Sequence, residues 1–297
     1  MLDFRHETFL ELFKQKNYAK TAEALHITQP AVSQHIKYLE ELYEVTLIAE
    51  KGKVFSLTPA GKELLWFIQS ANSGVKHLKK RIAQINTKNI QEITIGATRS
   101  IGEGILPHII SKILQSNDLV EFHVLVENTN SLVEKLQDGQ IDFALIEGYF
   151  DKSTFETIPF SVEEFIGICS ANSPLAAKSV DFSDLLEYRH IVREEGSGSR
   201  EIYEEILHEN HMKINDFHRL IEVNNLTAIK KMVADDAGIS FLYKFTVLDE
   251  IQSRKVIPIT INNFSALRNL HFVFQKDNLT NIDHRYWFDK FLEIYQQ

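Results

Sequence analysis

Residues 18–38 constrain the fold more than any other stretch of this chain. Their pattern is that of a helix, a two-residue turn at His26 and Ile27, and a second helix. Thr28 stands where an N-cap is expected, and Pro30 falls in the first turn, where its missing N–H costs nothing. The apolar residues have the spacing that buries one side of each helix; they are Ala22, Leu25, Ile27, Val32, Ile36 and Leu39. The segment therefore predicts two helices that cross at a steep angle, a helix-turn-helix.

The outward face of the second helix suits a DNA major groove. Glutamine pairs with adenine edges, serine adapts to several partners, and lysine and a helix N-terminus bind phosphate. The residues predicted to contact DNA from this helix are Thr28, Gln29, Pro30, Ser33, Gln34, His35 and Lys37. Amphipathic helix pairs with polar outer faces also occur in proteins that bind no DNA, so this segment alone leaves both interpretations open.

Residues 51–57 have the pattern of a small β-ribbon. Gly52 centres a turn flanked by two lysines, and alternating apolar residues follow it. A basic ribbon next to a recognition helix is a wing, and we expect Lys51 and Lys53 to reach DNA phosphate or the minor groove. An ordinary surface hairpin would have the same pattern, but its position after the helix pair favours a winged helix.

A long helix follows, with Thr58 as its N-cap and Pro59 at its first position. Apolar residues recur along it in steps of four and three: Leu64, Ile68, Ala71, Val75, Leu78, Ile82 and Ile85. This heptad seam predicts pairing with a second copy of the helix. Packing on the rest of the same chain is the alternative. We favour a homodimer, because two paired heads can bind two half-sites at once.

This order of motifs resembles the LysR-type transcriptional regulators. The resemblance covers the whole N-terminal region: the helix-turn-helix, then Leu39-Glu40-Glu41-Leu42, the wing, and Leu57-Thr58-Pro59-Ala60-Gly61. One departure is Tyr43 with Leu47-Ile48-Ala49-Glu50, where the family usually has Gly and then Leu-Phe-x-Arg. Because Glu50 replaces the family's arginine, we expect the recognition helix to carry more of the specificity than the wing does.

Charge is divided unequally along the 297 residues. The net charge is −9, but residues 1–88 contain 13 Lys and Arg against 9 Asp and Glu, a balance of +4. The remainder carries 19 against 32, a balance of −13. A mildly basic head can bind DNA while an acidic body resists non-specific adhesion to it.

Several classes of protein are disfavoured by composition. No apolar run approaches the roughly 18–20 residues of a membrane span, and the N-terminus has no signal-peptide pattern. The single cysteine, Cys169, excludes an internal disulfide and suits a reducing compartment. We therefore expect a cytoplasmic protein without a membrane partner.

After residue 90, short β-branched apolar runs alternate with helical stretches. The runs are 93–96, 122–126, 143–146, 165–169, 190–192, 220–223, 239–242 and 272–274. Alternation of this kind predicts an α/β domain with a parallel or mixed sheet covered by helices. Resemblance to the LysR family implies a periplasmic-binding-protein-like effector domain of two subdomains, with crossovers near Pro159-Phe160 and Asn262-Phe264.

The expected organisation is thus a winged helix-turn-helix at residues 1–58, a linker and dimerisation helix at 59–88 and an effector-binding domain at 89–297. Within the last, subdomain I comprises 89–160 and 266–297, and subdomain II comprises 161–265. The fold class is an all-α winged head with a long linker helix, followed by an α/β body.

Polar segments follow several strands of the predicted body. In such folds, ligands bind beyond the carboxyl ends of strands, where helices begin with free N–H groups and a positive dipole end. The residues predicted to bind an effector are Thr98, Arg99, Ser100, Asn128, Thr129, Gly196, Ser197, Gly198, Ser199, Asn225 and Thr227. Any one of these segments is also an ordinary helix cap, but several at equivalent places favour a shared site for a small anion.

Residues 95–103 and 193–200 resemble the subset of LysR regulators associated with sulfur metabolism. That resemblance implies an effector among the sulfur oxyanions and small amino-acid derivatives. Small carboxylates would fit the same donors, so the chemistry of the segment leaves the effector open.

Enzymatic interpretations find little support. Gly102-Glu103-Gly104 and Gly196-Ser197-Gly198-Ser199 lack a full dinucleotide fingerprint and a following Walker lysine. The twelve histidines form no metal-ligand motif. We expect no catalytic residue, no metal and no cofactor.

The predicted function is therefore a sequence-specific LysR-type transcriptional regulator that binds double-stranded promoter DNA under the control of a small anionic effector held between the subdomains. We expect a homodimer through the linker helix, and further pairing into a homotetramer. The alternative is a cytoplasmic solute-sensing protein whose N-terminal helices serve assembly only.

Overall fold

The computed structural model describes residues 2–51, 54–84, 90–117, 119–152, 155–217, 219–276 and 282–297. The chain divides into two compact units. The first consists chiefly of Met1–Ile85, and the second consists of Asn86–Leu136, Gln140–Lys276 and Asn281–Gln297. We call them the head and the body.

The head contains the predicted helix-turn-helix. Its elements are α1 (Phe4–Gln15), α2 (Tyr18–Ala24), α3 (Gln29–Tyr43), β1 (Ile48–Lys51), β2 (Val54–Leu57) and α4 (Pro59–Gln84). Polar caps set the helix starts: the Asn17 side chain accepts from the amides of Ala19 and Lys20, and Thr28 Oγ1 accepts from the Ala31 amide at 3.3 Å. His26 has a φ of 55°, which turns the chain sharply between α2 and α3. The helix-turn-helix prediction is confirmed.

A single apolar core holds the head together. Phe9 and Leu12 of α1 pack with the predicted inward residues Val32, Ile36 and Leu39. The antiparallel ribbon of β1 and β2 pairs Ile48 with Leu57 and Lys51 with Val54, as predicted for a wing. At the end of the ribbon, Thr58 Oγ1 accepts from the Gly61 amide at 3.0 Å and so caps α4.

The seam of α4 is divided into two parts. Leu64 and Ile68 are 8% and 0% exposed and belong to the core of the head. Val75, Leu78 and Ile82 are 40%, 51% and 57% exposed. The prediction of one unbroken partner-facing seam is wrong for its first turns, because the head's own core needs those side chains. Ile85 lies outside the described residues.

The body is a mixed α/β unit. Its helices are α5 (Arg99–Gly104), α6 (Leu106–Ser116), α7 (Thr129–Gln137), α8 (Gly198–Glu209), α9 (Leu226–Ala234), α10 (Leu248–Gln252) and α11 (His284–Tyr295). Its strands are β3 (Gln91–Thr98), β4 (Val120–Glu127), β5 (Phe143–Ile146), β6 (Phe155–Ser170), β7 (Ser179–Val180), β8 (His190–Val192), β9 (Leu220–Glu222), β10 (Ser240–Tyr243), β11 (Val256–Pro258), β12 (Thr260–Ile261) and β13 (Leu267–Gln275). Short 3₁₀ turns cover Pro174–Ala177, Phe182–Glu187, Ile214–Asp216 and Lys244–Thr246. The predicted fold class is confirmed.

One long strand, β6, connects the two halves of the body. The sheet order is β10-β6-β13-β5-β3-β4, with β11 also paired to β6. β13 pairs antiparallel with β6 up to the partners Leu267 and Glu164, and β10 pairs with it from Phe165 onward. The change of partner therefore falls at Glu164 and Phe165, a few residues after the crossover expected at Pro159-Phe160. The chain returns between β12 and β13, at residues 262–266, the region where the second crossover was expected.

The parallel strands place several helix starts beyond their carboxyl ends. β3 pairs in parallel with both β4 and β5, and β8 pairs in parallel with β9. Each of β3, β4, β8 and β9 is followed by a helix, so the starts of α5, α7, α8 and α9 lie beyond carboxyl ends of strands. No helix in the described part of the chain is long and apolar enough to cross a membrane.

Candidate functional site

The outer face of α3 is exposed as predicted for most of its residues. Thr28, Gln29, Pro30, Ser33, Gln34 and Lys37 are all exposed. Lys37 forms an i,i+4 pair with Glu41 at 3.6 Å, with both side chains largely in solvent, so the pair holds Lys37 only weakly. These side chains are free to meet a groove.

His35 differs from the rest of this face. Its Nδ1 lies 2.9 Å from Thr8 Oγ1, and its ring packs edge-on against Phe4 at 5.0 Å. The prediction that His35 points outward is wrong, because α1 supplies a hydroxyl and an aromatic ring on that side. His35 joins α3 to α1.

Of the two wing lysines predicted to contact phosphate, one lies within the described residues. Lys51 ends β1, opposite Val54. Lys53, the other predicted phosphate contact, lies outside the described residues.

Three of the predicted effector segments converge in the body, and they meet at an acid that the prediction omitted. Glu147 follows β5, and its Oε1 accepts hydrogen bonds from Ser100 Oγ at 3.0 Å and Ser199 Oγ at 2.7 Å. The two hydroxyl oxygens are 3.2 Å apart. Thr129 Oγ1 donates to the backbone carbonyl of Glu147 at 3.0 Å. The starts of α5, α7 and α8 therefore converge on one residue.

Glu147 is 1% exposed. Burial raises its pKa, and the hydroxyl of Ser199, the Arg193 guanidinium and the hydroxyl of Ser100 only partly offset this. A serine hydroxyl has a single proton to donate. Because both serines donate to Glu147, the hydroxyl pair expected to bind an anion already serves an internal carboxyl group.

Glycines allow this close approach. Gly148 has a φ of 84°, and a Cβ on it would lie 2.6 Å from the Gly198 Cα. A Cβ on Gly198 would lie 2.6 Å from the Glu147 carbonyl oxygen and 2.9 Å from Thr129 Oγ1. Gly196 has a φ of 78°, and a Cβ on it would lie 3.1 Å from the side-chain nitrogen Nδ2 of Asn130. Side chains at these positions would push the two halves of the body apart.

Two arginines form the cationic part of the site. Arg193, 3% exposed, donates through Nε to Glu194 Oε2 at 2.9 Å. Arg99 Nε lies 3.7 Å from Glu194 Oε1, and Arg99 Nη1 donates to the Asn224 carbonyl oxygen. Burial alone would raise the pKa of Glu194, but its hydrogen bond and Coulombic attraction to Arg193, together with Arg99, lower it. The acid is therefore ionised and shared by both guanidinium groups.

The remaining predicted residues act chiefly as caps. Asn128 accepts from the Ser131 amide at 2.9 Å, and Asn225 accepts from the Ala228 amide at 2.8 Å. Ser197 is the buried N-cap residue of α8 without a side-chain cap bond, and Thr227 is exposed on α9. Asn224, the residue before Asn225, accepts a hydrogen bond from Arg99 through its carbonyl oxygen.

Four buried polar atoms near these segments have no hydrogen-bond partner within the described parts of the chain: Thr98 Oγ1, Glu147 Oε2, Arg193 Nη1 and the Tyr243 hydroxyl. The Tyr243 pKa is raised by burial and by the proximity of Glu147. Buried polar groups without partners are uncommon. Their concentration around one acid marks this region as the candidate effector site.

Sequence reasoning missed Glu147 and Arg193, although a signal was present for both. Each directly follows a short apolar strand, Phe143–Ile146 and His190–Val192. An ionisable residue at the carboxyl end of a buried strand is a site candidate by position alone. The prediction favoured segments with several hydroxyl residues and passed over single charged ones.

The described residues were also considered for a metal site and for a reactive cysteine. Among the described residues, no group of three or more His, Cys, Asp or Glu side chains is placed to hold a metal ion. Cys169 is buried in β6, and burial raises the pKa of its thiol to about 11. A thiol of this kind is a core side chain rather than a nucleophile.

Comparison with known proteins gives two family matches. Residues 87–292 match the model described as LysR substrate binding domain. Residues 5–62 match the model described as bacterial regulatory helix-turn-helix protein, lysR family. The two matches correspond closely to the body and the head.

Curated relatives match over most of their length. The HTH-type transcriptional regulator CysL of Bacillus subtilis is 30% identical over 271 residues, which is 90% of this chain and 89% of that protein. The probable RuBisCO transcriptional regulator of Thalassiosira pseudonana is 25% identical over 276 residues, with 91% and 90% coverage.

Solved structures share the fold. A full-length OxyR variant from Pseudomonas aeruginosa has a TM-score of 0.60 at 21% identity, covering 100% of this chain and 95% of that one. The regulatory domain of Synechocystis PCC6803 CcmR in complex with 2-PG has a TM-score of 0.63 at 19% identity, covering 70% and 98%.

Proposed function

Because this chain belongs to the LysR family of transcriptional regulators, with a helix-turn-helix head and an effector-binding body, we propose that a small anionic effector bound beside Glu147 controls its binding to a dyad-symmetric promoter site. The family assignment confirms the resemblance found in the sequence, and members of this family are regulators rather than enzymes. Such a regulator acts where the promoter is, and we place it in the cytoplasm.

The observation that carries the proposal is the meeting of Ser100, Thr129 and Ser199 at Glu147. Ser100 belongs to the half of the body built on β3, β4, β5 and β13, and Ser199 to the half that holds β8, β9 and β10. A ligand that competes for these hydroxyl groups, or that reaches the free atoms of Thr98 and Arg193, would alter how firmly the two halves are joined. Such differential binding shifts a conformational equilibrium.

The hydrogen-bond donors of the site indicate which class of effector it binds. Arg99, Arg193 and the helix starts favour a negative group. Among the solved structures that share this fold, the regulatory domain of CcmR is in complex with 2-PG and the effector binding domain of QuiR is in complex with shikimate. We therefore propose a sulfur oxyanion or a small amino-acid derivative, as the resemblance to the sulfur-linked subset implies, or a small carboxylate, which fits the same donors.

The exposed part of the α4 seam supports a homodimer. Leu78 and Ile82 present more than half of their surface on one helix face. Apolar residues at heptad spacing on an exposed face are stabilised by a second helix. The edge strand β4, with Val124 and Val126 each 40% exposed, supports further pairing of bodies into a homotetramer.

In the proposed mechanism, paired heads place two α3 helices in successive major grooves, and the effector changes the angle between the heads and hence the DNA bend. Bases and phosphates are contacted by Thr28 and by the exposed residues of α3, which are Gln29, Pro30, Ser33, Gln34 and Lys37. Lys51 and Lys53 contact the DNA backbone. Subdomain I and subdomain II are the two halves joined by β6 and by residues 262–266.

DNase footprinting with and without a panel of small anions tests this function. We expect sequence-specific protection whose extent or bend changes with one anion. Thr98→Ala and Arg99→Ala should keep the protection and abolish the response, while Thr260→Ala, at an exposed threonine of β12, serves as a matched hydroxyl control. Protection without sequence preference would contradict the regulator, and anion binding without any protection would favour a solute sensor whose head serves assembly only.

A further inference from the structure

Glu194 faces arginines from both halves of the body. Arg193, the preceding residue, lies with it in the half that holds β8, and the Nε and Nη2 of Arg193 donate to the two carboxylate oxygens at 2.9 and 3.2 Å. Arg99 opens α5 in the half built on β3, and its Nε lies 3.7 Å from Glu194 Oε1. One carboxylate therefore interacts with a guanidinium group on each side of the boundary between the halves.

The two ion pairs differ in strength. Arg193 and Glu194 share two hydrogen bonds, and their side chains are 3% and 15% exposed. A charge-assisted pair with two hydrogen bonds is among the strongest polar contacts in proteins. The Arg99 side chain is 30% exposed, and its Nε lies too far from Glu194 for a hydrogen bond. An anion from solution can therefore take the place of Glu194 at Arg99, while Glu194 stays bound to Arg193.

A backbone contact keeps Arg99 in position for such an exchange. Its Nη1 donates to the carbonyl oxygen of Asn224, which follows β9 in the same half as Glu194. A guanidinium group carries five N–H donors in one plane, so Arg99 can keep this bond and bind an oxyanion through its other N–H groups. Exchange of the anion on Arg99 thus leaves this side chain across the boundary between the halves.

We propose, on the basis of the function proposed above, that Glu194 competes with the anionic group of the effector for Arg99 and so inhibits effector binding from within the site. A carboxylate has the features required of the effector's own anionic group, a negative charge and oxygens that accept from a guanidinium group. Although burial acts in the other direction, Arg193 and Arg99 lower the pKa of the Glu194 carboxyl group, so the competitor is negatively charged near pH 7.

Competition of this kind sets the effector concentration at which the regulator responds. The competitor is part of the chain, so the apparent affinity falls with the fraction of molecules in which Arg99 is available. If Glu194 holds Arg99 in about nine molecules of ten, an effector binds about tenfold more weakly than it would without the competitor. Replacement of Glu194 by the effector also removes a contact between α5 and the segment after β8, which links binding to the arrangement of the halves.

Isothermal titration of the full chain with sulfate, thiosulfate, acetate and propionate, at constant ionic strength, tests the competition. Glu194→Gln keeps the size of the side chain but removes its charge. We expect this variant to bind at least one of these anions about tenfold more tightly than the wild type does. Glu195→Gln, at the exposed acid next in sequence, makes the same change of net charge and should leave the affinity unchanged.

Dependence on Arg99 distinguishes competition from a general effect of charge. Removing any acid near the site makes the local potential more positive and can strengthen anion binding without a direct exchange. In the Arg99→Ala background, Glu194 has no guanidinium group at position 99 to compete for, so Glu194→Gln should give no gain there. A gain that persists without Arg99 is a long-range effect and would overturn the proposed competition.

A second variant keeps the negative charge. Glu194→Asp shortens the side chain by one methylene, which moves the carboxylate away from Arg99. We expect its affinity for the anion to lie between those of the wild type and Glu194→Gln. Circular dichroism verifies that each variant is folded, and if Glu194→Gln does not fold, an affinity of Glu194→Asp no higher than that of the wild type overturns the competition.

The outcomes also separate the competition from the proposed function. A gain that depends on Arg99 supports the competition. Equal or weaker binding by the Glu194 variants overturns it, as does a lack of binding to wild type and variants up to about 10 mM of each anion.

Footprinting of the promoter with the tightest anion tests the function by itself. A gain in affinity without any change in protection contradicts the proposed function alone. A change in protection that requires the same anion concentration in the wild type and in Glu194→Gln contradicts the competition alone.

Discussion

Ser199 Oγ donates to Glu147 Oε1 at 2.7 Å, and this bond joins the first turn of α8 to the end of β5. The bond connects two halves of the body through a carboxyl group that is almost completely buried. Separating a buried carboxyl group from its hydrogen-bond donors costs free energy, so the bond favours the arrangement in which the two halves of the body meet at Glu147. Any ligand that opens or tightens the body must act against or through this contact.

We expect Glu147→Gln to change how stability depends on pH. The folded pKa of Glu147 is raised by burial above its usual value of 4.5, so the folded state holds the proton over a range where the unfolded state has released it. Stability from the neutral carboxyl is therefore present below pH 4.5 and falls as pH rises from 4.5 through the folded pKa. Glutamine mimics the neutral acid and lacks this loss.

Thermal unfolding of both proteins between about pH 4 and 8 measures the effect. The Tm of the glutamine variant minus that of the wild type should grow as pH increases. Parallel curves would show that the carboxyl group does not titrate in the folded protein in this range. Glu209→Gln, at an exposed acid at the end of α8, serves as the comparison.

Gly148→Ala should destabilise the body by about 1–3 kcal/mol, because the residue has a φ of 84° and its new Cβ would meet backbone, the Gly198 Cα. Chemical denaturation measures the loss. Thr227→Ala, at an exposed position, should stay within about 0.5 kcal/mol of the wild type. Equal stability of the glycine variant would mean that the loop relaxes away from α8.

The strands and helix starts were predictable because their signals are local. β5 and β8 fall at the predicted residues, and Thr28 and Asn225 act as caps, since a hydrophobic run and a capping side chain need only their own neighbours. The first half of β6 was not predicted. Its polar residues alternate without a strong apolar run, and pairing with β13, about a hundred residues away, is what makes it a strand.

In the candidate site, too, the features set by local sequence were predictable and those set by distant contacts were not. Hydroxyl residues at helix starts were recognised, but their partner was not, because a hydrogen bond between Ser100 and Glu147 spans 47 residues. His35 was assigned to the DNA face from helical periodicity alone. The ring of Phe4 and the hydroxyl of Thr8, which draw it inward, belong to a different helix.

On the recognition helix, Ser33 and His35 should behave differently when replaced. Ser33→Ala should reduce the preference for specific over random DNA by roughly 1–3 kcal/mol, because an exposed side chain in the groove reads bases. His35→Ala should lower the Tm of the head and leave the preference nearly unchanged. Competition binding and thermal unfolding distinguish the two, and the reverse pattern would place His35 back on the DNA face.

Substitutions along α4 should separate assembly from folding. Leu78→Asp with Ile82→Asp should convert the dimer to monomer in sedimentation velocity, because charges replace an exposed apolar seam. Leu64→Ala should instead cost about 2–5 kcal/mol of folding stability, since this side chain is 8% exposed within the head. Lys79→Asp, a charged exposed neighbour, controls for negative charge on the helix. A dimer that survives the double substitution would move the interface elsewhere.

His190 should make the body acid-sensitive. Its Nδ1 lies 2.6 Å from the Tyr203 hydroxyl, and its Nε2 lies 3.0 Å from the Leu185 carbonyl oxygen, so the neutral ring is satisfied as one acceptor and one donor. Burial lowers its pKa from 6.5 to about 4, despite the opposing bond to Leu185. The unfolded state therefore binds the proton first as pH falls.

The stabilisation from neutral His190 is complete above pH 6.5 and is lost progressively as pH falls toward 4, by at most about 3 kcal/mol. His190→Gln keeps one donor and one acceptor but does not titrate, so its stability should vary less over this range. Urea unfolding at about pH 4.5, 5.5 and 7 measures the slope for both proteins. The pKa of His271 is also lowered by burial, so some dependence of stability on pH should remain in the His190→Gln variant. That dependence should diminish further when His271→Phe is added. A variant as acid-sensitive as the wild type would show that His190 accepts its proton without opening the body.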